Sequence, residues 1–510
     1  MGSSIRFSSA GAAVLLAFVL AVALARPLVA PPIEHHGEAR EGLVVQGIVD
    51  RGEWILPRRN GELPSKPPLF HWLAAAAGKS FGLSDGMVRL PSAVAAWVVA
   101  SLTFVFGRRF GGLATGWLAV AALLGMAPFL SAAIEARVDM VFTACTTAAL
   151  VAFYAWYRDR SAAARVVLYA AVAAGVLAKG PAGAALPVAV IVAFLFVQRD
   201  LGRVRELWST PLVAAAALVD LGWYALATAA GGREFLELQI VRENLHRLVG
   251  NEEFRRVDHG STLRLPMLLA TQFLPWTVAL AVCAYRSVRG RTADATERFL
   301  HAWWMVVLAT FTFAAGKRPA YLLPAAPAIA LLAGRLLASV VAAVDAAARD
   351  EDRGPLGSSF ARVLVVLAVV DCGMLATLQV QRELHARHRS FGAFAEVVAA
   401  NVPSGGSLPA SPAIAASDRM VLAYRLRRSV RTEASPRVGV PYLVPAAARL
   451  GEAHSDAVIL ATSGDGANDV ALIRVAASGT SAADELGACD SPKPATSCAV
   501  QGARLQEMAR

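Results

Sequence analysis

An all-α polytopic membrane protein of about eleven transmembrane helices, followed by a small C-terminal α/β domain, is the architecture this sequence predicts. Three observations carry the prediction. Of 510 residues, 56% are hydrophobic and 17% charged, with a mean hydropathy of +0.50. Apolar runs of spanning length recur as far as about residue 380, and arginine clusters fall in every second connection between them. Such a composition excludes an ordinary water-soluble enzyme. A formal charge of 49 − 38 = +11 and a pI of about 9.8 would suggest nucleic acid in a soluble chain. Membrane topology accounts for the excess instead, and no nucleic-acid partner is expected.

The runs lie near 10–30, 88–106, 112–130, 138–157, 164–179, 181–198, 208–229, 266–285, 299–316, 319–343 and 361–380. Each is close to the roughly 20 helical residues that cross a bilayer core of about 30 Å. The arginine-rich connections hold Arg108 and Arg109; Arg158, Arg160 and Arg165; Arg199, Arg203 and Arg205; Arg286, Arg289, Arg291 and Arg298; Arg349, Arg353 and Arg362. Placing these in the cytoplasm by the positive-inside rule puts the N-terminus inside and the tail from about 381 outside. The first run has no clear small-residue cleavage site before Arg26 and Pro27, so it reads as a span rather than a signal peptide. Residues 1–380 are then a membrane domain with long outside segments at 31–87 and 230–265. Residues 381–476 read as an outside α/β domain, with β-like runs at 457–461 and 469–474, and 477–510 as a loosely ordered tail. Internal repeats and heptads are absent from the sequence.

Cys145, Cys283 and Cys372 fall inside spans and read as small buried hydrophobes. Cys489 and Cys498 lie in the outside tail, where an oxidising periplasm would let them pair or leave them as thiols in a loose end.

Charges at the outer side carry the chemistry. If helical, the first segment places Glu34, Glu38 and Glu41 on one face, fit for a general base or for an ordinary polar helix start. His35 and His36 add metal-ligand chemistry, but no metal-site motif accompanies them, so no residue is assigned to a metal. Asp139, at the outer entrance of the fourth run, is an ionisable group at membrane depth, with Arg137 beside it as a partner or a phosphate ligand. Lys179 sits in a Gly-Pro break between two spans, and Lys317 and Arg318 occupy a second hairpin with Tyr321 one turn on. Broken backbone at that depth is tolerated where it lines a cavity, and a lysine there offers a point charge to a phosphate; interface anchoring is the plainer reading. Only five of the 49 basic residues are lysines, and all five fall on the outer side, against the orienting bias. The dense charge of 230–265 suits a lid on the membrane surface. Together these features describe an outer-face cavity that binds an anionic lipid and performs acid–base chemistry.

Several strings occur in one order: Gly52-Glu-Trp-Ile-Leu-Pro57, Asn60-Gly61, Lys66-Pro-Pro-Leu-Phe-His-Trp72, Phe81-Gly-Leu-Ser84 with Val88-Arg-Leu-Pro-Ser92, Leu177-Ala-Lys-Gly-Pro181, Phe273-Leu-Pro-Trp276 and Lys317-Arg-Pro-Ala-Tyr-Leu-Leu-Pro324. Over roughly residues 10–345 the chain resembles the aminoarabinose transferase and protein O-mannosyltransferase superfamily, glycosyltransferase families 39 and 83. The resemblance implies a GT-C fold and an inverting glycosyltransferase of the bacterial inner membrane. Such an enzyme moves a sugar from a polyprenyl (undecaprenyl) phosphate donor to a lipid, protein or glycan acceptor at the periplasmic face; no cofactor is certain, and a divalent metal stays open. Family members commonly carry an Asp-Glu pair in the first loop, and Gly37 stands here where the aspartate belongs. Glu38 is therefore carried over as the matching glutamate, with Glu34 and Asp139 as alternatives for the missing carboxylate. Lys66, Lys179, Lys317, Arg318 and Tyr321 match positions expected near the donor phosphate and cavity wall, and His259 resembles a second-loop histidine. A lipid or solute transporter, or a non-catalytic member of the same fold, are the competing readings.

Overall fold

The computed structural model describes residues 30–246, 262–290, 294–314, 317–347, 358–388, 391–402, 406–446, 457–463 and 469–475, with a few single positions before these. The chain divides into two compact units, Met1–Arg389 and Ser390–Arg510.

The first unit is helical. Its outer segment holds α1 (His36–Arg51) and α2 (Leu69–Phe81), which pack together. There follow α3 (Asp85–Gly111), α4 (Leu113–Leu124), α5 (Ala127–Ala133), α6 (Val138–Asp159), α7 (Ala162–Lys179), α8 (Ala182–Val197), α9 (Arg203–Leu207) and α10 (Thr210–Leu236). A π-helical stretch, Glu237–His246, continues α10 beyond a non-helical Gly232. Then come α11 (Arg264–Gln272), α12 (Trp276–Val288), α13 (Ala295–Phe313), a 3₁₀ helix (Pro319–Ala325), α14 (Ala326–Ala347) and α15 (Ser358–His388).

Local chemistry sets several boundaries. The Ser84 hydroxyl accepts from the Met87 amide at the start of α3, with Asp85 in the first turn and Arg108 and Arg109 in the last, each complementing the helix dipole. Asp294 caps α13 by accepting from the Glu297 amide at 2.7 Å. The bundle closes around aromatic rings: Tyr154 stacks on Phe299 with centroids 4.7 Å apart, and Phe194 meets Phe299 at 5.2 Å. The Tyr154 hydroxyl, buried in this cluster, bonds the Thr296 hydroxyl at 2.9 Å.

Among the described residues six helices are long and apolar enough to cross a membrane, or eight if each of two bent pairs is one span. Ala182–Val197 is a shorter apolar helix. Two of the expected runs are not straight spans. The 112–130 run bends by 75° between α4 and α5, and the 266–285 run by 110° between α11 and α12. Hydropathy averages over such breaks, which here fall at Gly125-Met126 and at Phe273-Leu274-Pro275. The run at 10–30 lies outside the described residues apart from single positions.

Direction follows from the ion pairs. Arg109 at the end of α3 bonds Asp159 at the end of α6, so these helices run parallel, and α7 returns antiparallel. Arg108, Arg109, Arg158 and Arg160 therefore gather at one end of the bundle, while Arg89, Asp139 and Lys179 stand at the other.

The second unit holds α16 (Gly392–Asn401), α17 (Ala416–Arg425) and a five-stranded sheet of order β2-β1-β3-β5-β4. Its strands are β1 (Leu408–Ala410), β2 (Val430–Thr432), β3 (Pro441–Pro445), β4 (Ala457–Thr462) and β5 (Val470–Val475). β1 pairs parallel with β2 and β3, whereas β5 pairs antiparallel with β3 and β4. Tyr442, Val444, Ala471 and Ile473 form a buried cluster on it. Cys489, Cys498 and the whole of 477–510 lie outside the described residues.

Candidate functional site

At the end of the bundle away from the arginine-rich connections lies a cavity of about 1010 Å³. Five cations reach its wall, Arg40, Lys66, Arg137, Lys179 and Arg318, against three acids, Glu135, Asp139 and Glu243. Much of the remaining wall is apolar, from Ala127, Pro128, Leu186, Ile240, Leu274, Phe311 and Met374.

Lys179 ends α7. Gly180 follows with φ +75°, a left-handed conformation that glycine adopts without steric cost. The hairpin into α8 is tight: a Cβ built on Gly183 would stand 2.0 Å from the Gly175 carbonyl carbon, so only glycine admits this approach. That break aims the lysine at the N-terminus of α6, where its Nζ bonds Asp139 Oδ1 at 2.6 Å. The ammonium also lies 4.7 Å from the Phe142 ring centroid and 5.0 Å from that of Tyr321, which the 3₁₀ helix presents. Arg137 Nε stands 3.8 Å from Asp139 Oδ2. Lys66 reaches from the outer segment to Glu243 on the π-helical stretch, 2.6 Å away.

Glu38 lies in a different setting. Both of its oxygens accept from Arg89, at 2.8 and 3.0 Å, and Oε1 also accepts from the Ala136 amide at 2.9 Å. Arg89 donates further to the Pro31 carbonyl at 2.7 Å, and Asp85 accepts from the Ile33 amide at 2.8 Å. This network ties the outer segment to the start of α3 and to the approach to α6. Glu38 is not among the residues that line the cavity.

The expected face of three carboxylates does not form. α1 begins at His36, so Glu34 precedes it, and the His35 side chain caps the helix by accepting from the Gly37 amide at 3.2 Å. Glu41 does lie on α1, buried, accepting from Arg40 at 2.7 Å and sharing a 2.8 Å contact with His71 Nε2. Burial alone would push the Glu41 carboxyl up; the adjacent Arg40 charge and the His71 contact outweigh it and hold it well below the usual carboxylate range.

Of the other expected residues, Lys66, Arg137, Lys179, Arg318 and Tyr321 are brought together on the cavity wall. Lys317 is buried, donates to the Ala314 carbonyl at 2.9 Å and is not part of that wall. His259 lies outside the described residues. Of the expected lid, only the part to residue 246 and that from 262 is described; its first part continues α10. Among the described residues no group of three or more His, Cys, Asp or Glu is arranged to hold a metal ion, and none forms around His35 and His36. Sequence reasoning passed over Arg40, Glu135 and Asn244 as wall residues, and took Glu243 only as part of a charged stretch.

A Cβ at Gly37 would meet Arg137 Nη1 at 2.6 Å and His35 Nδ1 at 3.0 Å, so a side chain there would displace the Arg137 guanidinium.

Residues 65–223 match the family model described as dolichyl-phosphate-mannose-protein mannosyltransferase. The chain is 26% identical over 353 residues to the undecaprenyl phosphate-alpha-4-amino-4-deoxy-L-arabinose arabinosyl transferase of Shewanella sediminis, covering 68% of this chain and 63% of that one. The protein of the same description from Pseudomonas aeruginosa strain LESB58 is 30% identical over 321 residues, covering 60% and 57%. The alignment thus spans less than two thirds of these curated relatives' own length. Its fold is similar to the crystal structure of ArnT from Cupriavidus metallidurans bound to undecaprenyl phosphate, with a TM-score of 0.76 at 20% identity over 92% of this chain and 99% of that one.

Proposed function

We propose that this chain, a multi-pass membrane protein belonging to the aminoarabinose transferase and protein O-mannosyltransferase superfamily with its GT-C fold, is an inverting glycosyltransferase that takes a sugar from a polyprenyl phosphate. One observation carries the reading. A single cavity joins apolar walls, which suit a lipid chain, to the cations Lys66, Lys179 and Arg318 and the carboxylate of Asp139. The relatives' printed name supplies undecaprenyl phosphate as the carrier class and an aminoarabinose as one sugar of that kind.

In the proposed reaction an acceptor hydroxyl attacks the anomeric carbon from the face opposite the phosphate. The bond from that carbon to the phosphate oxygen breaks, and its electron pair leaves with the lipid phosphate. Lys179, Lys66 and Arg318 stabilise the charge gathering there. Asp139 takes the acceptor's proton. Lys179 is held on Asp139 at 2.6 Å. An entering phosphate draws the ammonium toward itself and leaves Asp139 with the weaker contact to Arg137, freer to accept a proton. Tyr321 and Phe142 hold the Lys179 head by their ring faces. Glu38, with both oxygens committed to Arg89, is read as a frame rather than as the reacting carboxylate.

The same reading makes the chain a multi-pass bacterial inner-membrane protein with its N-terminus cytoplasmic, its 112–130 and 266–285 runs bent rather than straight. The α/β domain expected from 381 begins at Ser390 instead, because α15 runs on to His388, and it is then periplasmic with the cavity opening to that side. The acceptor is a lipid, a protein or a glycan. The test is transfer from a labelled undecaprenyl phosphate sugar in proteoliposomes supplied with lipid A precursors, peptides or glycans. Label appearing on an acceptor, with release of undecaprenyl phosphate, is the expected outcome. Label that crosses the bilayer still on its carrier would favour the transporter reading.

A further inference from the structure

Arg40 is a cavity cation that the mechanism above leaves without a role, and its surroundings are built. Neighbours in sequence diverge around a helix and do not normally meet. Arg40 nevertheless folds back on Glu41, its Nε and Nη2 both donating to Oε1 at 3.1 and 2.7 Å. The other oxygen of Glu41 contacts His71 Nε2 at 2.8 Å across the α1–α2 packing. An ionised carboxylate only accepts, so Nε2 carries the proton. The side chains of Glu41 and His71 are 3% and 2% exposed, whereas that of Arg40 is 22% exposed and lines the cavity.

Charge ties this group to the other ionised residues of the wall. The Glu41 charge is the largest influence raising the affinity of Arg40 for its proton against burial, and Glu243 and Asp139 add to it. Those are the carboxylates held by Lys66 and Lys179. Arg40 thus stands in the field of both lysine–carboxylate couples, with Arg59 as a further cation near Glu41 and Glu243.

We propose that Glu41 and His71 are positioning residues that fix the Arg40 guanidinium on the cavity wall as a further contact for the phosphate of the lipid donor. The proposal rests on the polyprenyl-phosphate reading. Its logic is that of a buried support: Glu41 spends one oxygen on each neighbour, so its orientation depends on His71 and that of Arg40 depends on Glu41. Without the support the arginine keeps its charge and loses its place.

The test is equilibrium binding of undecaprenyl phosphate to the detergent-solubilised full chain, comparing wild type, Arg40→Ala, Glu41→Gln and the double variant. A charge-assisted hydrogen bond corresponds to roughly tenfold or more in affinity, so each single change is expected to weaken binding by about that factor. The double variant is expected to bind no worse than Arg40→Ala, because Glu41 acts through the arginine. Losses that multiply, or wild-type affinity in either single variant, would overturn the inference. If Glu41→Gln fails to fold, His71→Gln and His71→Ala make the comparison: glutamine keeps an N–H for Glu41 and should retain affinity, alanine should not, and equal affinity would overturn the proposal. No binding by the wild type would instead overturn the donor reading on which it rests.

Discussion

Glu38 and Asp139 are both buried carboxylates held by a basic side chain at the same end of the bundle, yet their surroundings assign them different work. Glu38 accepts two bonds from the planar guanidinium of Arg89 and one from a backbone amide, which uses its lone pairs in a fixed plane. Asp139 is met at one oxygen by the single ammonium of Lys179, a compact charge on a flexible stem, and it faces the cavity. A forked, backbone-supported pair is architecture; a point contact on a cavity wall is one that a ligand can exchange.

Breaking the first pair should have the largest effect. Arg89→Ala leaves a buried carboxylate without its counter-charge and is expected to cost about 3–5 kcal/mol. Lower yield and a lowered melting temperature in detergent would show this; an unchanged melting curve would mean that Glu38 is not a frame. At the second pair, Lys179→Ala should cost less stability, because Asp139 faces the cavity and keeps Arg137 at 3.8 Å. It should raise the apparent KM for the lipid donor by roughly tenfold or more while leaving that for the acceptor near its original value. A selective effect on the acceptor would move the phosphate elsewhere.

The smallest effect concerns pH. The Glu41 carboxyl is held well below its ordinary value, so the stability it contributes is fully present above the unfolded pKa, roughly 4.3. That contribution is lost only as pH falls through the lower folded pKa. The gap in melting temperature between wild type and Glu41→Gln should therefore persist at pH 5 and close under more acid conditions. A gap already closed at pH 5 would contradict the arrangement of Arg40, Glu41 and His71.

Six of the expected spans were legible because hydropathy is local: each run carries its own signal. The bends at Gly125-Met126 and at Phe273-Leu274-Pro275 were not, since they leave the average hydropathy of a run intact. Within the site, Asp139, Lys179 and Arg318 stood out as charges where an orienting rule or a helix break made them improbable. Arg40 and Glu135 resemble ordinary surface charges in sequence, and nothing local separates them from the rest. The role of Glu38 was hidden for another reason: its partner Arg89 lies 51 residues away on another helix, so spacing within the first segment pointed to a shared carboxylate face that the late start of α1 dissolves.

The account turns on which of the two carboxylates reacts, and single-turnover sugar transfer by Asp139→Asn and Glu38→Gln, each normalised to folded protein, decides it. The prediction is that Asp139→Asn melts like wild type and loses transfer, while Glu38→Gln melts lower and transfers normally per folded molecule. Normal transfer by Asp139→Asn, with none from a fully folded Glu38→Gln, would contradict it.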